Sequence, residues 1–323
     1  MANIIITVDT EGHVGKDPIK HLIWGETKDG RECGISLIMD LCDNVGAKAV
    51  FFVDIAEAWH YGKEKIEKVL KYIDNRGHTV GVHIHPDHMA DPQRLFLYEY
   101  SYNEQYEIIK KCTDLYISIL GRKPECFRAG KYSANRDTLK ILNELGYRAD
   151  FSEFYGQKWC GINPPITGNN TVKISDKMIE IPVISYKSHF YKFINRYDKF
   201  DANSTLLEQK YIYDQIVDDN CIKNCVVFAH SFSFLKWRHN PDKPSINKRM
   251  VKKFRKILKY MSKKGVYKAI DSIIEQEYED LQDTENKIIE LDAWHSFLFF
   301  ILKAWHVFQM RIQVMVRHYH CKQ

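Results

Sequence analysis

Short, unbroken apolar runs alternate along this chain with longer segments in which apolar residues recur every three or four positions. Ile4 to Val8 is the first run, and its continuity marks a strand buried on both faces. The segment 34–46, GISLIMDLCDNVG, has helical spacing and stops at Gly46. KAVFFVD (48–54) reads as the next buried strand, GKEKIEKVLKYIDNRG (62–77) as an amphipathic helix closed by Gly77, and HTVGVHIH (78–85) as a third strand. A helix over 104–121 leads to the strand-like ECFRAG (125–130), then a helix over 137–146 and the strand-like YRADFS (147–152). After a less regular stretch come strands over 178–186 and 224–232 and a helix over 246–264. Strands alternating with helices predict parallel β/α units. No internal repeat or low-complexity linker interrupts them.

Composition narrows the picture. The 323 residues suffice for one large α/β domain with an appendage. A net charge of +5, scattered along the chain and without RNP, zinc-finger or helix-turn-helix patterns, argues against a nucleic-acid partner. Eight cysteines at wide spacings read as reduced thiols, and Cys221 with Cys225 lacks the second pair that a zinc site would use. Met1 runs almost directly into the first strand, with neither a basic leader nor a small-residue cleavage site, so the expected location is cytoplasmic.

Polar groups recur at the ends of the strands: Asp9 and Glu11, His83 and His85, Arg128, Asp150, His230. In parallel β/α proteins the carboxyl ends of the strands share one face, where the loops gather. A lone strand-end histidine is usually structural. Five strand ends carrying such groups, in this order, point to one site.

These residues resemble the motifs of the polysaccharide deacetylase family, whose NodB-homology fold is a distorted (β/α)7 barrel. TVDTEG resembles the first motif, RGHTVGVHIHPDH the second, FRAGKYSAN the third, GYRADFS the fourth and VVFAHSF the fifth; AKAVFFVD resembles the family's second strand. The resemblance covers roughly residues 3–275. It implies a barrel over 1–275 and leaves 276–323 as a C-terminal extension. It also implies a metal-dependent N-deacetylase acting on an acetylated sugar, with a divalent ion, zinc first among candidates. Asp9 would be the base and Glu11 and His83 metal ligands. The further ligand would be Asp87, at the position where the family usually has its second histidine, or His85, which shares a strand face with His83; His88 is third choice. Arg128 would hold Asp9, the backbone near Tyr132 would supply an oxyanion donor, and Asp150 would orient and charge His230 as the general acid. The rival reading makes Arg128–Asp9 and Asp150–His230 structural ion pairs.

The chain departs from the family pattern in places. Thr10 separates the two acids of the first motif, and Arg-Ala-Gly-Lys-Tyr stands where the family often has prolines. Both leave the metal and the substrate open. With no export signal, a nucleotide- or lipid-linked precursor of a surface polysaccharide or lipopolysaccharide is the expected substrate. A non-sugar amide hydrolase and a metal-free binding protein are the alternatives.

The last residues are apolar but broken by Lys303, His306 and Arg311, too often for a spanning helix. Leu298, Ile301, Trp305, Phe308, Ile312 and Met315 form a helical stripe. It calls for a partner: an anionic membrane surface, the barrel itself or another subunit.

Overall fold

The computed structural model describes residues 1–12, 14–190, 194–218, 222–280 and 287–304. Its strands are β1 (Ala2–Thr10), β2 (Val50–Asp54), β3 (Thr79–Ile84), β4 (Cys126–Ala129), β5 (Ala149–Asp150), β6 (Val172–Ser175), β7 (Met178–Glu180), β8 (Ser185–Phe190), β9 (Ile194–Lys199), β10 (Asn224–His230), β11 (Leu235–Lys236), β12 (Ser245–Ile246), β13 (Gly265–Tyr267) and β14 (Ile289–Glu290). The helices are α1 (Ile35–Asp43), α2 (Glu57–Tyr61), α3 (Lys63–Asn75), α4 (Tyr102–Leu120), α5 (Arg136–Leu145), α6 (Leu206–Asp218), α7 (Lys248–Met261) and α8 (Ile270–Asp280).

Seven strands run parallel in the order β10-β1-β2-β3-β4-β5-β7, with β6 antiparallel on the β7 edge and β13 beside the start of β1. The distorted (β/α)7 barrel expected from the sequence is thus borne out. The distortion lies where the barrel would close, because no ladder joins β7 to β10 among the described residues. A narrow stitch stands there instead. Phe200 N–H donates to Ile184 O at 2.9 Å, Phe228 N–H donates to Phe200 O at 3.2 Å, and Ala202 N–H donates to Phe228 O at 2.8 Å.

The apolar runs explain this architecture. Ile4, Ile5, Ile6 and Val8 are all buried, as are Val50 to Val53, because the barrel interior covers one face of each strand and a helix the other. Helix ends follow local chemistry: Ser101 caps α4 through a capping box with Glu104, and Gly121 ends it in the left-handed conformation. The expected strand over 178–186 is instead two. Pro182, which has no N–H to donate, separates β7 in the barrel from β8 in a second sheet of β14, β8 and β9.

Residue 275, where the sequence places the barrel's end, falls within α8. Beyond it, β14 pairs with β8, and residues 293–304 are helical. That helix packs on the barrel through buried Ser296 and Phe299, with the His295 ring stacked 3.8 Å from Tyr211. Trp294, Phe297, Phe300 and Ile301 are exposed. Of the anticipated apolar stripe, Leu298 and Ile301 are described, and Trp305 onward lies outside the described residues. Lys303 is engaged by acidic groups. It reaches Glu208 at 2.8 Å and Asp198 at 3.1 Å. No helix among the described residues is long and apolar enough to cross a membrane.

Candidate active site

Parallel register brings the strand ends together. Asp9 lies opposite His230 of β10, while His83 lies opposite Asp54 of β2 and Arg128 of β4. Residues from five adjacent strands thereby converge without any long loop, which is why the sequence order of the motifs matches a spatial order.

Arg128 is fully buried, and each of its three nitrogens has a partner: Nη1 donates to Asp9 Oδ1 at 2.6 Å, Nη2 to Thr7 Oγ1 at 3.0 Å and Nε to Phe151 O at 3.1 Å. The guanidinium lies 4.3 Å from the Phe52 ring centre. Burial alone would raise the Asp9 pKa; the Arg128 charge, with His83 and His230, outweighs it and holds Asp9 below its usual value. Asp9 is thus kept ionised and fixed in direction.

Beside it, ligand atoms of Glu11, His83 and His85 all lie within 4.8 Å of one another. Glu11 Oε2 is 2.7 Å from His85 Nε2 and 3.4 Å from His83 Nε2. His83 Nδ1 is 2.8 Å from the Arg128 carbonyl, which assigns the proton to Nδ1 and leaves Nε2 facing the carboxylate. Burial disfavours a charged His83, yet the carboxylates of Asp9 and Glu11 outweigh it and push its pKa up to about 9. Glu11 is held well below its usual value: its burial is outweighed by His85 and His83. One carboxylate and two imidazoles form the three-ligand set of open, catalytic zinc sites, so the donors fit a divalent ion. Gly130 makes room for this cluster. A Cβ there would stand 2.7 Å from Ile84 O and 2.8 Å from the His85 ring.

Of the two candidates for the further ligand, His85 stands in the cluster. Asp87 stands apart, 3.9 Å from Lys131 Nζ. His88 turns away as well, its Nδ1 2.9 Å from Asp54 Oδ2. His230 completes the rim, with Nε2 3.7 Å from Glu11 Oε1.

Asp150 is where expectation and structure part. It accepts from Ser152 Oγ at 2.6 Å and lies opposite Glu180 on β7, and no hydrogen bond or ion pair joins it to His230 among the described residues. The register explains this: β5 is separated from β10 by four strands along the sheet, and Asp150 is paired with Glu180 of β7. Burial raises both carboxyl pKa values.

Lys199, at the end of β9, adds a positive charge close enough to act on His230 from outside the motifs. Its Nζ donates to Tyr132 Oη at 2.5 Å, sits 3.3 Å from the Phe228 ring centre and lies 3.7 Å from Asp201. Burial lowers its pKa. No periodicity in the 153–177 stretch or its flank marks this lysine, and only the barrel stitch brings it in. Lys131 and Tyr132 have positive φ values, 54° and 58°, a costly conformation for residues with a Cβ and one found at constrained functional sites.

Residues 22–149 match the family model described as polysaccharide deacetylase, a span that holds the second and third motifs. No curated protein sequence matches the chain. Among solved structures, a putative polysaccharide deacetylase from Mycobacterium smegmatis aligns with 90% of this chain and 95% of its own, at 14% identity and a TM-score of 0.56. A polysaccharide deacetylase from Bacillus cereus aligns over 83% and 92%, at 13% identity and 0.42. A peptidoglycan deacetylase from Bacillus subtilis aligns over 86% and 93%, at 13% identity and 0.40. The fold assignment rests on the first of these. The barrel thus shares the fold of that structure. The resemblance to the polysaccharide deacetylase family read from the five motifs is borne out.

Proposed function

We propose that this protein is a metal-dependent hydrolase that removes an N-acetyl group from a sugar, acting on a nucleotide- or lipid-linked precursor of a surface polysaccharide or lipopolysaccharide. The observation that carries the reading is the convergence of Glu11, His83 and His85 beside an Asp9 held ionised by Arg128. A divalent ion bound by those three residues would supply Lewis-acid polarisation and a more acidic water.

The chain's own groups divide the remaining work. Asp9, ionised and aimed by Arg128, takes a proton from the attacking water. His230 lies across Glu11 from the histidine pair, and burial lowers its pKa, so its protonated ring is a ready acid that gives its proton to the departing amine and is recharged by the proton that Asp9 took from water. The backbone of the left-handed turn at Lys131–Tyr132 and the Lys199 side chain would supply the donors to a developing oxyanion. Asp150 has no part in charging His230 in this scheme; it supports the barrel wall with Glu180.

The exposed Trp294, Phe297 and Ile301 are the apolar face through which the C-terminal helix would meet a cytoplasmic leaflet or a second subunit. The decisive experiment is acetate release from N-acetylated free sugars, nucleotide sugars and lipid-linked sugars, with and without added zinc. Asp9→Asn should lower turnover by about 10²-fold or more while keeping bound metal. Amine release from a non-sugar amide alone would favour the alternative hydrolase.

A further inference from the structure

A second group of metal-capable side chains lies next to the first. Asp54 ends β2, Glu57 opens α2 and His88 follows β3; ligand atoms of all three lie within 4.8 Å of one another. Asp54 and Glu57 are fully buried, and His88 closes the outer side.

The hydrogen bonds satisfy three of the four carboxylate oxygens. Asp54 Oδ1 accepts from the N–H groups of Ala56 at 3.1 Å and His85 at 3.3 Å, and its Oδ2 faces His88 Nδ1 at 2.9 Å. Glu57 Oε1 accepts from Gly12 N–H at 2.5 Å. Glu57 Oε2 is buried and has no hydrogen-bond partner among the described residues. A buried carboxylate oxygen without a partner is rare and calls for an ion, a proton or a water. When both are ionised, two buried carboxylates against one imidazole leave negative charge uncompensated even with the imidazole protonated.

We propose that Asp54, Glu57 and His88 form a second divalent-cation site, distinct from the Glu11–His83–His85 cluster and adjoining it. Two carboxylates with one imidazole suit zinc or manganese. The two sites share backbone. Glu57 holds Gly12, the residue after Glu11, and Asp54 holds the N–H of His85 itself. An ion between Asp54 and Glu57 would fix both segments that carry the first site's ligands, so the sites bind with positive coupling, and the coupling is reciprocal. The inference does not depend on which substrate the barrel turns over, or on whether it turns one over.

Zinc titration of the metal-free protein, followed by calorimetry and by elemental analysis after desalting, tests this directly. Wild type should take up two zinc ions per chain, and Glu57→Gln and His88→Ala one each, with the remaining ion bound more weakly than the tighter ion of wild type. Melting curves would confirm that both variants fold; Glu57→Gln keeps the side-chain shape, and His88→Ala sits at the outer side. One ion in wild type, lost on His83→Ala, overturns the second site and means that a proton occupies Glu57; the proposed deacetylase function would stand untouched. Two ions retained by both Glu57→Gln and His88→Ala would equally overturn it.

Discussion

Arg128→Met should expose how much of the site is held by one buried charge pair. The substitution keeps an apolar side chain beneath the Phe52 ring and removes the donors to Asp9, Thr7 and Phe151 O. Breaking a buried ion pair by deleting one partner costs about 3–5 kcal/mol, chiefly because the surviving charge is stranded. The pH dependence follows from Asp9. In wild type its pKa is held below the ordinary 3.8, so its contribution to stability is present above that value and is lost as pH falls through the folded pKa. Without Arg128, burial becomes dominant and raises Asp9 instead. The variant's Asp9 then favours folding only while protonated, and the deficit grows as pH rises through its new value. Urea unfolding of metal-free wild type and variant from about pH 4 to pH 8 would measure this, with a destabilisation near 3–5 kcal/mol at the upper end and a smaller one at the lower. Adding Asp9→Asn to Arg128→Met should recover part of the loss. A deficit that is flat with pH, or below about 1 kcal/mol throughout, would show that the pair is not what holds Asp9.

Gly130→Ala should weaken zinc binding at the first site by about 10-fold or more, because the new methyl displaces His85; an unchanged competition titration would refute this. Lys199→Met should lower kcat by about 10-fold or more with little change in KM or metal content, and a changed KM alone would assign the lysine to substrate binding. Glu180→Gln removes one acid of the Asp150 pair. Raised carboxyl pKa values stabilise below the unfolded value and lose that contribution as pH rises, so the variant should match wild type within about 1 kcal/mol near pH 6 and gain on it toward about pH 9 in thermal melts.

What the sequence disclosed of the barrel and rim traces to two regularities. Strands buried on both faces announce themselves as continuous apolar runs, so β1, β2 and β10 are plain in the residues alone. A chemically loaded residue at the end of such a run then has a known position, because parallel strands place their carboxyl ends on one face. Asp9, His83, Arg128 and His230 were placed by that rule. Asp54 obeys it too, at the end of VFFVD, and neither the resemblance nor the residue types drew attention to it. The choice between His85 and Asp87 needed backbone: His85 continues the extended conformation of β3, and a 3-10 turn starting at Pro86 carries Asp87 off toward Lys131.

Long-range pairing within the sheet was the part without a local signal. Asp150 sits at a strand end, as expected, but β5 is only two residues long and its neighbour on one side is β7, so its carboxylate meets Glu180 rather than His230. Nothing within a few residues of Asp150 encodes that neighbour; it follows from where the irregular 153–177 stretch returns the chain. Lys199 enters the site for the same reason, through a stitch of hydrogen bonds between Ile184, Phe200 and Phe228 that no periodicity marks. The C-terminal helix is a related case. Its apolar spacing was read as a surface seeking a partner, with Lys303 only as a break in the apolar run. Yet Glu208, almost fully buried, takes Lys303 as its counter-charge, with Asp198 beside it. A hydrophobic pattern locates the face of a helix. It does not say which buried charge elsewhere will claim the cation on that helix.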